Sequence, residues 1–268
     1  MFNALRKMFG PKPQPRHPAV PPGTRYYVIG DIHGRRDLYR AMIDAIEEDD
    51  RGRGECDSQV ILLGDLVDRG PDSAGVVSDT REWQGKRSVR VLAGNHEEML
   101  LDSFEKPEVL RHFLKHGGRE TVMSYGLSKK QFNALTLEEL FDLLPDLIPQ
   151  SERDYIAGFE EMIVAGDYLF VHAGIDPTLP LDEQSRRDLL WIRDRFLNHQ
   201  GALDKVVVHG HTIFDRVMDC GNRIGIDTGA FRSGVLTALV LEADQRRVIQ
   251  AIAAQNGPIE IFHGERPQ

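Results

Sequence analysis

Five stretches of this 268-residue chain end an apolar run in side chains that bind metals or move protons. They are "YYVIGDIHG" (26–34), "QVILLGDLVDRG" (59–70), "VRVLAGNHE" (89–97), "DYLFVHAG" (167–174) and "KVVVHGHT" (205–212). Asp31 and His33 stand two apart where the first run ends, so in extended backbone both side chains face the same way. Asp65, Asn95, His172, His209 and His211 come from the other four, which makes an oxygen and nitrogen donor set without sulfur. A set of this size serves two divalent ions, and one carboxylate free to bridge suits Mn²⁺, Fe or Zn²⁺ in a hydrolytic site. Arg69 and Arg193 add planar guanidinium forks, which match phosphoryl oxygens better than lysine does. Phosphate ester hydrolysis is the reaction class these residues imply.

Each residue also has a plainer reading. Asp31 after a glycine serves as a turn or helix cap. His96 is a metal ligand, a proton donor, or simply the start of a helix in which Asn95 is the N-cap and the dipole favours Glu97 and Glu98. His112, His116, His199 and His263 read as surface or satisfied polar residues. Capping accounts for each residue singly and for the set poorly, because five separate strand ends deliver such groups together.

Elements that would hold this set follow from the pattern. Apolar runs of four or five residues bounded by glycine read as buried strands. Their C-terminal ends share one edge of a sheet, where α/β folds place their sites. Between the early strands, "RRDLYRAMIDAIEE" puts Leu38, Met42, Ile43 and Ile46 on one helical face. The expected class is therefore α/β. "EEMLLDSF", "PEVLRHFLKHG" and "TLEELFDLLPDLIP" are all helical, so about 98–162 reads as a helical insertion beside the site. The tail runs "RIGIDTGA", "VLTALVLEA" and "RVIQAIAA" suggest a second, largely antiparallel sheet. Six prolines between Pro11 and Pro22 favour an extended arm over 1–23, with the catalytic domain over 24–268.

Composition narrows the partners. A net charge of −9 without a basic stripe argues against nucleic acid, and no apolar run is long enough to span a bilayer. Cys56 and Cys220 lack CxxC spacing, so free thiols in a reducing cytoplasm are expected.

Taken in order, "GDIHG", "GDLVDRG", "GNHE", "HAG" and "HGHT" resemble the phosphoprotein phosphatase family of the calcineurin-like metallophosphoesterases, over about residues 26–230. "LLWIRDRF", "VVHGHT" and "IDTGA" are similar to its bacterial and phage-type serine/threonine phosphatases. The resemblance implies a four-layer α/β/β/α sandwich, two central mixed sheets flanked by helices. It assigns Asp31, His33 and Asp65 to one metal, and Asp65, Asn95, His172 and His211 to a second, with Mn the expected ion. His209 is left as a neighbour. Arg69 and Arg193 become the phosphate-binding arginines, with Arg195 as the fallback. His96 pairs with Asp68 and protonates the leaving group, while a metal-bridging hydroxide attacks phosphorus directly. The implied substrate is a phosphoprotein or phosphopeptide. The alternative is a dinucleoside polyphosphate hydrolase on the same fold, against which the complete "VDRG" argues, and an inactive binding scaffold is a third reading. Within the insertion, "LKHGGRETVMSYG" resembles a segment of similar bacterial enzymes. His116, Arg119 and Tyr125 there either meet substrate or pack the insertion's own helices.

Overall fold

The computed structural model describes residues 17–254 and 257–264. The first half builds two parallel crossovers: β1 (Thr24–Ile29), α1 (Arg36–Gly52), β2 (Asp57–Leu62), α2 (Ser73–Gln84) and β3 (Val89–Val91). Strand β1 is apolar on both faces because both are covered. Tyr27 and Ile29 point to α1 and α2, while Tyr26 and Val28 point to the other sheet. Helix α1 forms as its spacing predicts and buries Leu38, Met42 and Ile46, with Tyr39 and Ala45 beside them and Ile43 only half-buried.

The helical insertion follows, as α3 (Asn95–Asp102), α4 (Pro107–Phe113), a π-helical turn (Leu114–Gly118), α5 (Arg119–Ser124), α6 (Lys129–Ala134), α7 (Leu137–Leu147) and α8 (Gln150–Ala157). Ser128 with Gln131 and Thr136 with Glu139 close capping boxes at the starts of α6 and α7. The insertion is not a separate body, since Leu110, Phe113, Val122, Leu144 and Ile156 join the core formed by α1 and α2.

After it come β4 (Met162–Ala165), β5 (Tyr168–Val171), α9 (Arg186–Trp191), α10 (Asp194–Leu197), β6 (Val206–His209), β7 (Met218–Asp219), β8 (Arg223–Gly225), α11 (Ala230–Ser233), β9 (Val235–Glu242), β10 (Gln245–Ala253) and β11 (Ile259–Gly264). The first sheet has the order β11-β10-β9-β1-β2-β3 and the second β4-β5-β6-β8-β7; both are mixed. Val28, Ile61 and Leu239 of the first pack against Phe170, Val208 and Ile224 of the second. On the outer face of the second sheet, Leu169, Val171 and Val207 meet Leu189, Ile192 and Phe196 of the α9–α10 segment. The layers therefore run helix, sheet, sheet, helix.

The tail corrects one expectation. Strands β9 and β10 do not make a second antiparallel sheet; they complete the first, with β9 antiparallel to β1. The reason is burial: Leu236, Ala238, Leu239, Val240 and Leu241 are buried on both faces of β9, which suits a central strand and not a half-solvated sheet. At the other end, residues 1–16 of the expected arm lie outside the described residues. The folded body already includes residues ahead of Thr24. The Ala19 N–H donates to Asp167 Oδ2 at 3.0 Å, the Val20 N–H donates to the Ala243 carbonyl at 3.0 Å, and the Val20 side chain is buried. Among the described residues no helix is long and apolar enough to cross a membrane.

Candidate active site

The strand-end loops converge between the two sheets, and their backbones are unusual. Among the described residues six that are not glycine have positive φ, and five of them are His33 (48°), Asp65 (51°), Asp68 (74°), Arg69 (68°) and His211 (62°). Side chains other than glycine reach this region at a cost, and such residues cluster where geometry serves function. The finding corrects the reasoning by which Asp31 and His33 were paired: β1 ends at Ile29 and the chain turns, so the two are not successive same-face residues of extended backbone.

Glu97 holds this turn in place. Its buried carboxylate accepts N–H groups from Asp65 (2.8 Å), Leu66 (2.7 Å), Val67 (3.3 Å) and Gly94 (2.9 Å). Burial and the nearby Asp65 charge push its carboxyl up to about 7 against those donors. The N-cap of α3 is Gly94 and not Asn95, which frees the asparagine side chain for the site. Glu97→Ala strands four buried donors and is expected to cost about 3 kcal/mol or more, read from chemical denaturation. A loss below about 1 kcal/mol would contradict this role.

The donor atoms are set by the backbone. His33 Nδ1 donates to the Val67 carbonyl and His172 Nδ1 to the Leu63 carbonyl, each at 2.8 Å, which leaves both Nε2 atoms as lone pairs. His33 Nε2 lies 3.5 Å from Asp65 Oδ2. His172 Nε2 lies 3.5 Å from Asp65 Oδ1 and 3.0 Å from Asn95 Oδ1, while His211 Nδ1 lies 2.7 Å from the same amide oxygen. Burial holds the imidazoles of His33 (to about 3), His211 (to about 2, with His172 adding to it) and His172 low, so His211 Nδ1 can donate its one ring proton to Asn95 Oδ1 while His172 Nε2 faces the Asn95 and Asp65 oxygens as an unreconciled acceptor. His211 Nε2 is buried without any hydrogen-bond partner. A divalent cation that takes imidazole nitrogen together with carboxylate and carbonyl oxygen fits such a set.

Two groups have ligand atoms within 4.8 Å of one another: His33, Asp65 and His96, and Asp65, His172 and His211. Asp65 is common to both, as a bridging carboxylate would be. Burial pushes the Asp65 carboxyl up, but the imidazoles of His172, His96, His33 and His211 overcome it and hold the group ionised. Asp31 lines the same chamber, where its carboxylate accepts the His211 N–H at 3.0 Å; burial, with the charges of Asp227 and Asp65, pushes it well up.

The acid side is equally specific. His96 Nδ1 meets Asp68 Oδ2 at 2.6 Å, with both residues buried. Burial lowers the imidazole's proton affinity, but the Asp65 and Asp68 carboxylates raise it further, and the balance lies above the usual histidine value. Arg69 donates from Nη1 to His33 Nε2 (2.8 Å) and from Nη2 to His96 Nε2 (2.9 Å), with its guanidinium 4.7 Å from the centre of the Phe231 ring. The π-helical turn supports it: the Gly117 carbonyl accepts the Arg69 N–H at 3.1 Å, and a Cβ at Gly117 (φ 111°) would lie 2.7 Å from Arg69 Cγ. Arg193 is exposed, and its charge depresses both His172 and His211. Arg195 turns instead to Asp176 (2.9 Å) and Asp188 (2.6 Å). His209 packs between Phe196 and Phe214, outside both donor groups. In the insertion, His116 bonds the His112 carbonyl, Arg119 bonds Asn133 and Tyr125 bonds Glu152, so these three tie the insertion's own helices together.

Sequence reasoning passed over Asp227. It is buried, accepts the Gly229 N–H at 2.8 Å and lies beside Asp31. Burial and the Asp65 charge, against that N–H, push its carboxyl up to about 6. The signal was present, since "RIGIDTG" ends an apolar run in aspartate just as "YYVIGD" does.

Residues 24–232, which contain every one of these loops, match the model of the calcineurin-like phosphoesterase family. The chain belongs to that family. Among calcineurin-like phosphoesterases and their relatives, it is 29% identical to serine/threonine-protein phosphatase 1 of Salmonella typhimurium, over 79% of this chain and 89% of that protein. It is 26% identical to the asymmetrical bis(5'-nucleosyl)-tetraphosphatase PrpE of Halalkalibacterium halodurans, over 80% of this chain and 89% of that one. The fold is shared with a solved protein assigned provisionally as a diadenosine tetraphosphatase, at a TM-score of 0.57 and 20% identity, covering 93% of this chain and 99% of that one. As a metallophosphoesterase the chain is a phosphoric ester hydrolase whose buried His and Asp groups are its candidate metal ligands.

Proposed function

We propose that this metallophosphoesterase is a phosphomonoesterase, and specifically a serine/threonine protein phosphatase. The observation that carries the reading is the buried contact of 2.6 Å between His96 and Asp68, beside Arg69 and the donor groups. It places an imidazole proton source next to a guanidinium suited to a phosphoryl group. Similarity to a bacterial serine/threonine phosphatase over most of both chains supports the substrate class.

Asp31, His33, Asp65, Asn95, His172 and His211 would hold two divalent ions, Mn²⁺ foremost with Fe or Zn²⁺ as alternatives. Bound there, such ions supply Lewis acidity and a nucleophile at neutral pH. The chain's own residues do the rest. Arg69 and Arg193 hold the non-bridging phosphoryl oxygens and offset the charge that grows on them in the transition state. Asp68 fixes the imidazole through Nδ1, so that Nε2, which accepts from Arg69 in the resting site, is the atom that takes up a proton and delivers it to the departing alkoxide once Arg69 turns to the phosphoryl group. No phosphoenzyme is needed.

One comparison tests the substrate class. On a single Mn²⁺-loaded preparation, phosphate release from a phosphoserine peptide is expected to exceed hydrolysis of diadenosine tetraphosphate at least 100-fold in kcat/KM, a margin of about 2.7 kcal/mol. The opposite preference makes the chain a dinucleoside polyphosphate hydrolase, and no turnover of the peptide overturns the phosphatase reading.

A further inference from the structure

We infer that Thr121, in the first turn of α5, is a positioning residue for the proton donor, so that the helical insertion supplies part of the acid. The inference rests on the reading of His96 as general acid.

Thr121 is fully buried, and its hydroxyl has every bonding capacity used. Thr121 Oγ1 accepts the Asp68 N–H at 2.8 Å and lies 2.9 Å from Ser73 Oγ. It also lies 2.6 Å from Asp68 Oδ1. A hydroxyl has one proton and two lone pairs. The Asp68 N–H takes one lone pair, and an ionised carboxylate can only accept, so the Thr121 proton goes to Asp68 Oδ1 and Ser73 donates to the second lone pair. Asp68 is thereby held at three points: its amide by Thr121 and by Ser73 Oγ (3.0 Å), one carboxylate oxygen by Thr121, and the other by His96 Nδ1.

This grip matters because Asp68 adopts a positive φ (74°), a region a side-chain-bearing residue enters at some cost, and the contacts hold it there. The backbone of Asp68 and the next residue, Arg69, is pinned from the insertion, by Thr121 and by the Gly117 carbonyl. The threonine lies 53 residues from the aspartate in sequence, so the contact exists only when the insertion is folded against the site. Without Oγ1 the carboxylate loses the bond that sets its rotamer, and Oδ2 is no longer held against His96 Nδ1. A looser imidazole delivers its proton less often along the reaction coordinate.

The test uses leaving groups. Serine alkoxide needs a proton to depart; p-nitrophenolate does not. With the full-length Mn²⁺-loaded protein, Thr121→Val is expected to lower kcat on a phosphoserine peptide about 10-fold or more. On p-nitrophenyl phosphate it should lower kcat only about 2-fold, with KM on both little changed and metal content equal to the parent. Thr121→Ser, which keeps the hydroxyl, should return the ratio of the two rates close to that of the parent. Equal losses on both substrates, or a serine variant as selective as the valine one, would overturn the inference. His96→Asn run alongside separates two failures: if it shows the leaving-group dependence and Thr121→Val does not, the positioning role alone is wrong. If neither shows it, the general-acid reading falls as well. Should Thr121→Val not fold, Thr121→Ala is read by the same criteria.

Discussion

His96→Asn is expected to reduce kcat on a phosphoserine peptide by about 10²–10⁴, the range typical of a lost general acid. The geometry makes the substitution informative. Asparagine fills a similar volume and can still donate a hydrogen bond from Nδ2 toward Asp68, so the fold should survive. What it removes is a titratable nitrogen where Nε2 now meets Arg69 at 2.9 Å. The pH dependence has a definite sign. A general acid works only when protonated, and the Asp65 and Asp68 carboxylates outweigh burial and raise the His96 value. The parent rate should therefore persist above the ordinary histidine range and fall as pH rises through the raised value. The asparagine variant should lack that alkaline limb, and a variant profile that keeps it would assign the limb to another group.

Exhaustive chelation is expected to abolish phosphate release, and added Mn²⁺ to restore it. His172 Nε2 faces Asn95 Oδ1 at 3.0 Å and Asp65 Oδ1 at 3.5 Å as one acceptor before two others, because the Leu63 carbonyl takes the only ring proton of His172. A buried set of that kind is held together by a cation. Without ions, Arg69 and His96 remain, but nothing on the chain activates a nucleophile for attack on phosphorus. Activity that survives chelation with no metal detectable by mass spectrometry would remove the two-metal reading.

Much of this site could be read in the sequence because ligand-type side chains at the ends of buried strands share one edge of a sheet. Asp31, Asp65, Asn95, His172 and His211 meet for that reason. Other features depend on the third dimension. The left-handed turns at His33 and Asp65 leave no trace in residue type, so the same-face argument for Asp31 and His33 started from a backbone the chain does not adopt. Glu97 looked like a helix-start residue favoured by the dipole, and its hold on the Asp65 turn comes from loops 31 residues apart. The tail strands revealed their hairpin but not the sheet they join, because turn residues set a local reversal while burial on both faces of β9 decides the neighbour. Thr121 lies within "LKHGGRETVMSYG", yet only packing brings its hydroxyl against Asp68.

In the proposed mechanism adjacent residues divide the labour, Asn95 on a metal and His96 on a proton. Calorimetric titration of Mn²⁺ into the metal-free parent, Asn95→Ala and His96→Asn chains tests it most directly. The account predicts two ions per chain for the parent, a weakened or lost site for Asn95→Ala, and two sites of nearly parental affinity for His96→Asn. Because His96 also lies within ligand distance of His33 and Asp65, the contrary result is concrete: loss of an ion on replacing His96 would make it a ligand and contradict the division.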